Sequence, residues 1–239
     1  MKHFFVLSLL LIFFTSCNYV FRKQVHGDGN IKTENRPAGQ FNSIDVSGSI
    51  DVYVKQDSVA SVKIEADENL MEYIQVIDDG EVLRIHPENG YNLSPSKRIK
   101  VYVSSPAYKS FEASGACNIY SENKITSPGT IGIDLSGSCD AKLELSAPEI
   151  NAGLSGACNI ELKGETKEFK IEGSGSTGIK SMDLLAENVD VDISGAGEAE
   201  VYASVKLNVE VSGAGSVKYK GNASVSQRIS GAGSVKKVE

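Results

Sequence analysis

The sequence predicts an all-β fold, a single-stranded parallel β-helix, and three observations support this prediction. A short motif, Ser-Gly followed by Ala or Ser, recurs along the chain. From its second copy onward it returns every 18 to 22 residues. Apolar residues two positions apart lie on both sides of it, and this is the period of a β-strand. A repeat of this length is typical of a solenoid, in which each unit stacks on the one before.

The motif occurs eight times, with one long interval near the start. The intervals between successive copies are 67, 22, 19, 19, 20, 18 and 18 residues. The serines of the motif are Ser47, Ser114, Ser136, Ser155, Ser174, Ser194, Ser212 and Ser230.

Each repeat unit reads as strand, corner, strand and loop. Ile131, Ile133 and Leu135 lead into one corner, and Ala141 follows it. Two such strands cannot bury an apolar face alone, but parallel stacking at about 4.8 Å joins the inward faces into one core. Glycine suits the sharp bend because it has no Cβ. We expect right-handed winding, the usual hand of parallel β crossovers, with about 18–22 residues per coil.

The 67-residue interval predicts an insertion near the start of the domain. Its sequence indicates strands, a short helical turn over residues 67–73 and a hairpin around Asp78-Asp79-Gly80, since Asp-Gly between two apolar runs favours a tight turn. The predicted domain therefore covers residues 41–239 and carries an N-terminal strand and hairpin insertion.

Residues 1–17 resemble a bacterial lipoprotein signal peptide. A basic start precedes an apolar run from Phe4 to Phe14, which is too short to span a bilayer. Thr15 and Ser16 then lead into Cys17, as small residues do in a lipobox, although Phe14 stands where Leu is usual. We expect Cys17 to be lipidated, for example with palmitate, and to attach the protein to a membrane. The alternative is ordinary secretion with a free Cys17 thiol.

Residues 18–40 are predicted to be a flexible linker because they are polar and contain Gly27 and Gly29. The expected location is the cell envelope, as an outer-membrane lipoprotein. Asn18 and Tyr19 follow Cys17 without an acidic run, which favours the periplasmic side over the cell surface.

Composition argues against several functions. The net charge of -7 and the absence of a dense Lys/Arg face disfavour nucleic acid as a partner. The acids that could serve catalysis, Asp190, Asp192, Glu198 and Glu200, alternate along strands and are expected to face solvent. No Ser-His or Cys-His pattern is visible, so we expect no catalytic residue, no cofactor and no metal. A β-helix polysaccharide lyase or hydrolase, with convergent acids, is the alternative.

Cys117, Cys139 and Cys158 occupy one position of three successive repeats. Stacked thiols could form a metal site or a disulfide, or they could be small buried fillers. Ligands in line do not converge as zinc requires, and stacked strands rarely allow the disulfide torsion. The pattern therefore favours fillers.

Five residues are predicted as a candidate binding face: Asn118, Asp140, Asn159, Tyr202 and Tyr219. The first three follow the cysteine position and form either a structural amide ladder or a polar groove for a ligand or Ca²⁺. The two tyrosines occupy similar places in adjacent repeats, and the alternative for them is packing over the core.

The last repeat ends close to Lys236 and Lys237. A terminal rung exposes unpaired strand backbone, so we expect end-to-end association with a second copy. The alternative is that the two lysines oppose such pairing.

The segments Ser114-Gly115-Ala116-Cys117-Asn118-Ile119 and Ser155-Gly156-Ala157-Cys158-Asn159-Ile160, behind a lipoprotein signal, resemble the putative auto-transporter adhesin, head GIN domain family of Bacteroidetes envelope proteins. The resemblance covers about residues 41–239. It implies one exported β-helical domain without known catalysis. The predicted function is a non-catalytic, adhesin-like or scaffolding lipoprotein that binds an envelope glycan or a protein, and a purely structural role is a further alternative.

Overall fold

The computed structural model of the protein describes residues 22–239. It is an all-β parallel solenoid of about seven stacked turns, as predicted. One short 3-10 helix, Glu68–Tyr73, interrupts the strands of this region. In residues 22–239 no helix has the length and apolar character needed to cross a membrane. The predicted signal peptide and Cys17 lie outside the described residues.

The strands follow one another along the chain with short connections. They are β1 Lys23–His26, β2 Ile31–Arg36, β3 Ser43–Gly48, β4 Ile50–Gln56, β5 Ser61–Asp67, β6 Ile74–Asp78, β7 Val82–Pro87, β8 Tyr91–Ser94, β9 Ile99–Ser105, β10 Ser110–Gly115, β11 Asn118–Ser121, β12 Ile125–Thr126, β13 Ile131–Gly137, β14 Asp140–Gly156, β15 Asn159–Gly175, β16 Gly178–Gly195, β17 Glu198–Gly213, β18 Ser216–Lys220, β19 Ser224–Gly231 and β20 Ser234–Lys237.

Successive repeats pair in parallel and in register. The motif serine of β13 lies opposite that of β14, and the same match continues through β15, β16 and β17. Within β14, Ile150, Ala152 and Leu154 are buried while the residues between them face outward. The inward side chains of all turns join into one core along the axis. Burial of apolar area at about 25 cal/mol per Å² makes this core the main stabilising term.

Each corner of the motif requires glycine. Gly156 has φ +97°, and a Cβ on it would lie 2.5 Å from the carbonyl oxygen of Gly137 in the preceding turn. The same oxygen accepts a 2.8 Å hydrogen bond from the Ala157 N–H. A side chain would therefore collide with the group that connects the two turns. The motif glycines of the neighbouring turns repeat this geometry.

The insertion separates the first two motif copies in the sequence but does not interrupt the stacking of their turns. The first motif strand, β3, pairs directly with β10, so the turn at Ser47 contacts the turn at Ser114. The inserted β7 and β9 pair in parallel with the opposite edges of β3 and β4. Beyond them, β5 runs antiparallel to β9, and β2 runs antiparallel to β5. The insertion thus adds a turn and antiparallel strands at one end of the solenoid. We call this part, residues 61–105, the cap.

The predicted hairpin and helical turn are both present in the cap. β6 and β7 pair antiparallel, and Gly80 between them has φ +82°. The Asp78 carboxylate accepts a 2.8 Å hydrogen bond from the Gly80 N–H. The 3-10 helix Glu68–Tyr73 immediately precedes β6.

The prediction of a flexible linker over residues 18–40 is wrong for residues 22–36. This segment, which we call the strap, contains β1, paired with β8, and β2, paired with β5. Its side chains are mostly exposed, so its composition resembles that of a linker. Backbone pairing holds it in place, and backbone pairing leaves no apolar pattern in the sequence.

A buried carboxylate fastens the strap to the cap. Asp67 is fully buried and accepts hydrogen bonds from the Gly29 N–H (2.8 Å), the Ser96 N–H (2.9 Å) and the Ser96 hydroxyl (2.6 Å). Burial raises the pKa of Asp67, but the hydrogen bonds from Ser96 and Gly29 outweigh it and hold the pKa below its ordinary value. In its charged form, Asp67 therefore connects the end of β5 with the segments that contain Gly29 and Ser96.

The last turn has a neighbour on one side only among the described strands. β19 pairs with β17, and β20 pairs with β18. Val225 and Ile229 occupy inward positions but are each 37% exposed, whereas Leu207 and Val211 below them are buried. The edge of this turn therefore presents unpaired backbone and apolar side chains.

Substitution of Gly156 by Ala should destabilise the fold by about 2 kcal/mol or more, because it adds both a disfavoured φ and a clash with the Gly137 carbonyl. Chemical denaturation measures this difference. Gly129→Ala is the matched control, since a Cβ there meets nothing within 4 Å. Equal stability of the two variants would contradict the role of the corner.

Asp67→Asn should reduce the free energy of unfolding by about 2 kcal/mol at neutral pH, because hydrogen bonds to a buried charged group are lost. The native pKa is lowered, so the stabilisation is complete above about pH 4 and declines as the pH falls through the native pKa. Acid titration of unfolding should therefore be less steep for Asp67→Asn than for the natural protein. Asp183→Asn, at an exposed position, should keep the natural acid profile.

End-to-end association stays a prediction, and the exposed Ile229 supplies its test. Sedimentation at rising concentration should show dimers of the natural protein and only monomers of Ile229→Lys. Monomers of both proteins at the highest concentration would contradict the association.

Candidate functional site

The structure places Asn118, Asp140 and Asn159 in one outward column with Asp51. The Asn118 amide donates to the Asp51 carboxylate at 2.8 Å, and the Asn159 amide donates to the Asp140 carboxylate at 2.8 Å. Arg98 also donates to Asp51, at 2.8 Å. These side chains therefore satisfy one another between turns, which is the arrangement of a structural ladder.

The column does not converge on a cation. Within residues 22–239 no three His, Cys, Asp or Glu side chains come together in a way that could hold a metal ion. The Asn and Asp side chains follow the axis one per turn, at the strand spacing of about 4.8 Å. A ligand could contact this column only along its length.

The cysteine column lies inside the corner. Cys117, Cys139 and Cys158 are buried free thiols, and each donates to the carbonyl oxygen of the motif serine three residues earlier, at 3.2–3.4 Å. Burial raises the pKa of Cys117 to about 11 and also raises that of Cys139. In the next turn Thr177 takes this position, and its buried hydroxyl has no hydrogen-bond partner. A thiol fits better because it is a weakly polar group that is cheap to bury.

The expected alignment of Tyr202 and Tyr219 is wrong. Tyr219 lies opposite Val201, and Tyr202 lies opposite Lys220. A shift of one residue turns a strand side chain to the other face. Tyr219 accordingly packs against the core, and only Tyr202 faces a surface groove.

Tyr202 lines a surface groove of about 490 Å³, which we call the Tyr202 groove. Leu185 is its direct neighbour in the turn below and is 55% exposed. Glu165 lies below Leu185, and Ser146 lies below Glu165. Four consecutive turns therefore contribute one side chain each to one wall of the groove.

A second group of tyrosines forms a stack that the sequence reasoning missed. Tyr53 lies between Tyr102 and Tyr120, with ring centroids 5.0 and 5.3 Å apart. The Lys63 ammonium lies 4.4 Å from the centre of the Tyr102 ring. The ring faces are thus largely covered by other rings and by Lys63, so this stack serves packing between the cap and the first turns.

An outward column of acids was also missed. It runs two residues before the first seven motif serines and consists of Asp45, Glu112, Asp134, Glu172, Asp192 and Glu210, with Gly153 at one turn, and Arg228 takes the position before Ser230. The signal was available in the sequence, since aligning the repeats on the motif shows it. Burial and the neighbouring Asp45 and Asp134 raise the pKa of Glu112, as expected for stacked like charges.

The acidic column and the motif serines border a groove of about 620 Å³. Arg84 and Arg228 pair with the two ends of the column, at Asp45 (3.6 Å) and Glu210 (3.5 Å). The intervening carboxylates face solvent along the axis. This surface is a long negatively charged face.

The four carboxylates considered for catalysis do not converge on one site. Asp190 and Asp192 lie two residues apart on the outward side of β16 and both line an open groove of about 450 Å³, which Glu198 and Glu200 do not line. Glu198 and Glu200 both accept from Lys218, at 2.6 and 3.3 Å. This is a pattern of surface ion pairs, each of which contributes little energy.

These features define a class of protein, the β-solenoids whose surface grooves are built from repeated side chains. Within that class, the family described as putative auto-transporter adhesin, head GIN domain matches residues 40–223. The chain belongs to this family, as the sequence repeats indicated. The comparison with curated proteins finds no match.

Solved structures of proteins from Bacteroides and Parabacteroides share this fold. A putative adhesin from Bacteroides fragilis has a TM-score of 0.82 at 22% identity, over 90% of this chain and 100% of that one. A putative adhesin from Parabacteroides distasonis has a TM-score of 0.74 at 25% identity, over 90% and 100%. A putative lipid binding protein from the same organism has a TM-score of 0.69 at 25% identity, over 91% and 100%.

Proposed function

We propose that this protein is a non-catalytic, adhesin-like binding module of the bacterial cell envelope. The observation that carries the proposal is the form of its surface. The grooves run along the solenoid, and the same kinds of polar side chain recur in them turn after turn. Such a surface suits an extended ligand, such as an envelope glycan or a protein strand. The adhesin family and its adhesin-named solved neighbours support a binding role.

The proposal includes a lipid anchor at Cys17 and an outer-membrane location on the periplasmic side. The strap supports a defined geometry for this anchor, since β1 begins at Lys23 and is paired with β8 in the cap. Five peptide steps separate Cys17 from Arg22, a span of at most about 18 Å. The cap end would therefore lie near the membrane, with the last turn pointing away from it.

The test uses residues 18–239, which contain every described strand, including the strap. Immobilised glycans, envelope proteins and phospholipid vesicles serve as separate probes, scored for both retention and product release. Retention without product release is the expected result for glycans or proteins. New reducing or unsaturated ends would instead establish the lyase or hydrolase alternative.

The vesicle probe addresses the neighbour described as a lipid binding protein. The fragment lacks Cys17, so its retention on vesicles would show that the fold itself binds lipid. In cells, the full chain should fractionate with membranes and incorporate labelled palmitate. Cys17→Ser should lose both properties, and an unchanged distribution would contradict the anchor.

A further inference from the structure

We infer that the Tyr202 groove binds a sugar ring of a glycan, with the ring seated on Tyr202 and Leu185. This inference rests on the proposed binding function and names its ligand class and its site. The groove lies on the outward side of four consecutive turns, in which Ser146, Glu165, Leu185 and Tyr202 are stacked neighbours.

The apolar part of the groove is an unusual exposure of large side chains. Leu185 is 55% exposed, whereas most large apolar residues of the solenoid are buried. Tyr202 lies beside it in the next turn. Within residues 22–239 no other aromatic ring stacks on Tyr202, in contrast to Tyr53, Tyr102 and Tyr120, which stack in a row. A half-buried tyrosine and an adjacent exposed leucine therefore form a small apolar platform that lines the groove.

The position of Leu185 in its strand explains this exposure. Leu184 and Ala186 are buried, and Leu185 between them faces outward, with Glu165 beside it in one neighbouring turn and Tyr202 in the other. The pairing of β16 with β17 is irregular on both sides of this position, with extra residues of β16 before Leu185 and an extra residue of β17 after Ala203. The platform is thus an apolar pair in an outward column, flanked by two irregularities of the pairing.

Polar groups surround the platform at fixed positions. The Glu165 carboxylate accepts from Lys124 at 2.8 Å and from the Ser146 hydroxyl at 3.1 Å, so it is held in place next to Leu185. The hydrogen bond from Lys124 lowers the pKa of Glu165, which keeps it an acceptor at neutral pH. Lys167 and Glu187 line the same groove.

This combination fits a pyranose better than other ligands. A pyranose has one apolar face of C–H groups and a rim of hydroxyls, which match a flat apolar platform and neighbouring carboxylate acceptors. An acyl chain would leave the Glu165, Lys167 and Glu187 charges against hydrocarbon, which costs free energy. A row of sugars could continue down the groove past Ser146, because each turn advances about 4.8 Å.

The experiment measures glycan binding by residues 18–239 on an array and then by calorimetry. The calorimetric probes are cellohexaose, chitohexaose and mannohexaose, with the strongest array ligand added. Tyr202→Ala should weaken binding about ten-fold or more, and Tyr202→Phe should keep it within about two-fold, because the ring and not the hydroxyl carries the contact. Leu185→Ala and Glu165→Gln should each weaken binding by about three-fold or more.

Tyr120→Ala is the matched control, since it removes a partly exposed tyrosine that does not line the Tyr202 groove. Its affinity should equal that of the natural protein, and thermal unfolding confirms that each variant is folded. Unchanged affinity of both Tyr202→Ala and Leu185→Ala would overturn the inference while leaving the binding function intact. Retention of proteins but of no glycan would also overturn it, and retention of neither would remove the proposed function as well.

Discussion

The carbonyl oxygen of the motif glycine is the group on which the whole solenoid depends. At each corner it points along the axis and accepts a hydrogen bond from the N–H that follows the glycine of the next turn, as Gly137 does from Ala157. The next glycine lies against the same oxygen, too close for a Cβ. One backbone contact therefore sets both the residue type and the spacing of the turns. The continuous core is possible only because every corner repeats it.

Regular stacking also determines which side chains a ligand can contact. Inward columns are occupied by the core and by the cysteine fillers, so ligand contacts are confined to outward columns. Several of these are already satisfied internally: the amides of Asn118 and Asn159 bond to carboxylates, and Tyr53 is covered on both faces. The Tyr202 groove differs because Leu185 occupies an outward position and is exposed beside Tyr202. Its apolar surface remains open to a partner.

The cap covers the edge of the first turn, whose backbone would otherwise be unpaired. The insertion places β7 and β9 on that edge and covers them with antiparallel strands, while the strap adds β2 to the outside. Asp67 then joins the strap, the 3-10 helix and the β8–β9 loop through one buried charge. The opposite end has no such cover among the described residues, so the two ends of the solenoid are chemically unlike.

Sequence alone determined the repeat, the glycine corners, the inward apolar residues, the hairpin and the family, because each depends on residues close together in the chain. It also placed Asn118, Asp140 and Asn159 in one column, since repeats align on the motif. The offset of Tyr202 from Tyr219 was also available in the sequence, since Tyr202 follows Ser194 by 8 residues and Tyr219 follows Ser212 by 7. Tertiary structure alone decided the strap and the position of the insertion. These depend on backbone pairing between distant strands, and no local pattern in the sequence records such pairing.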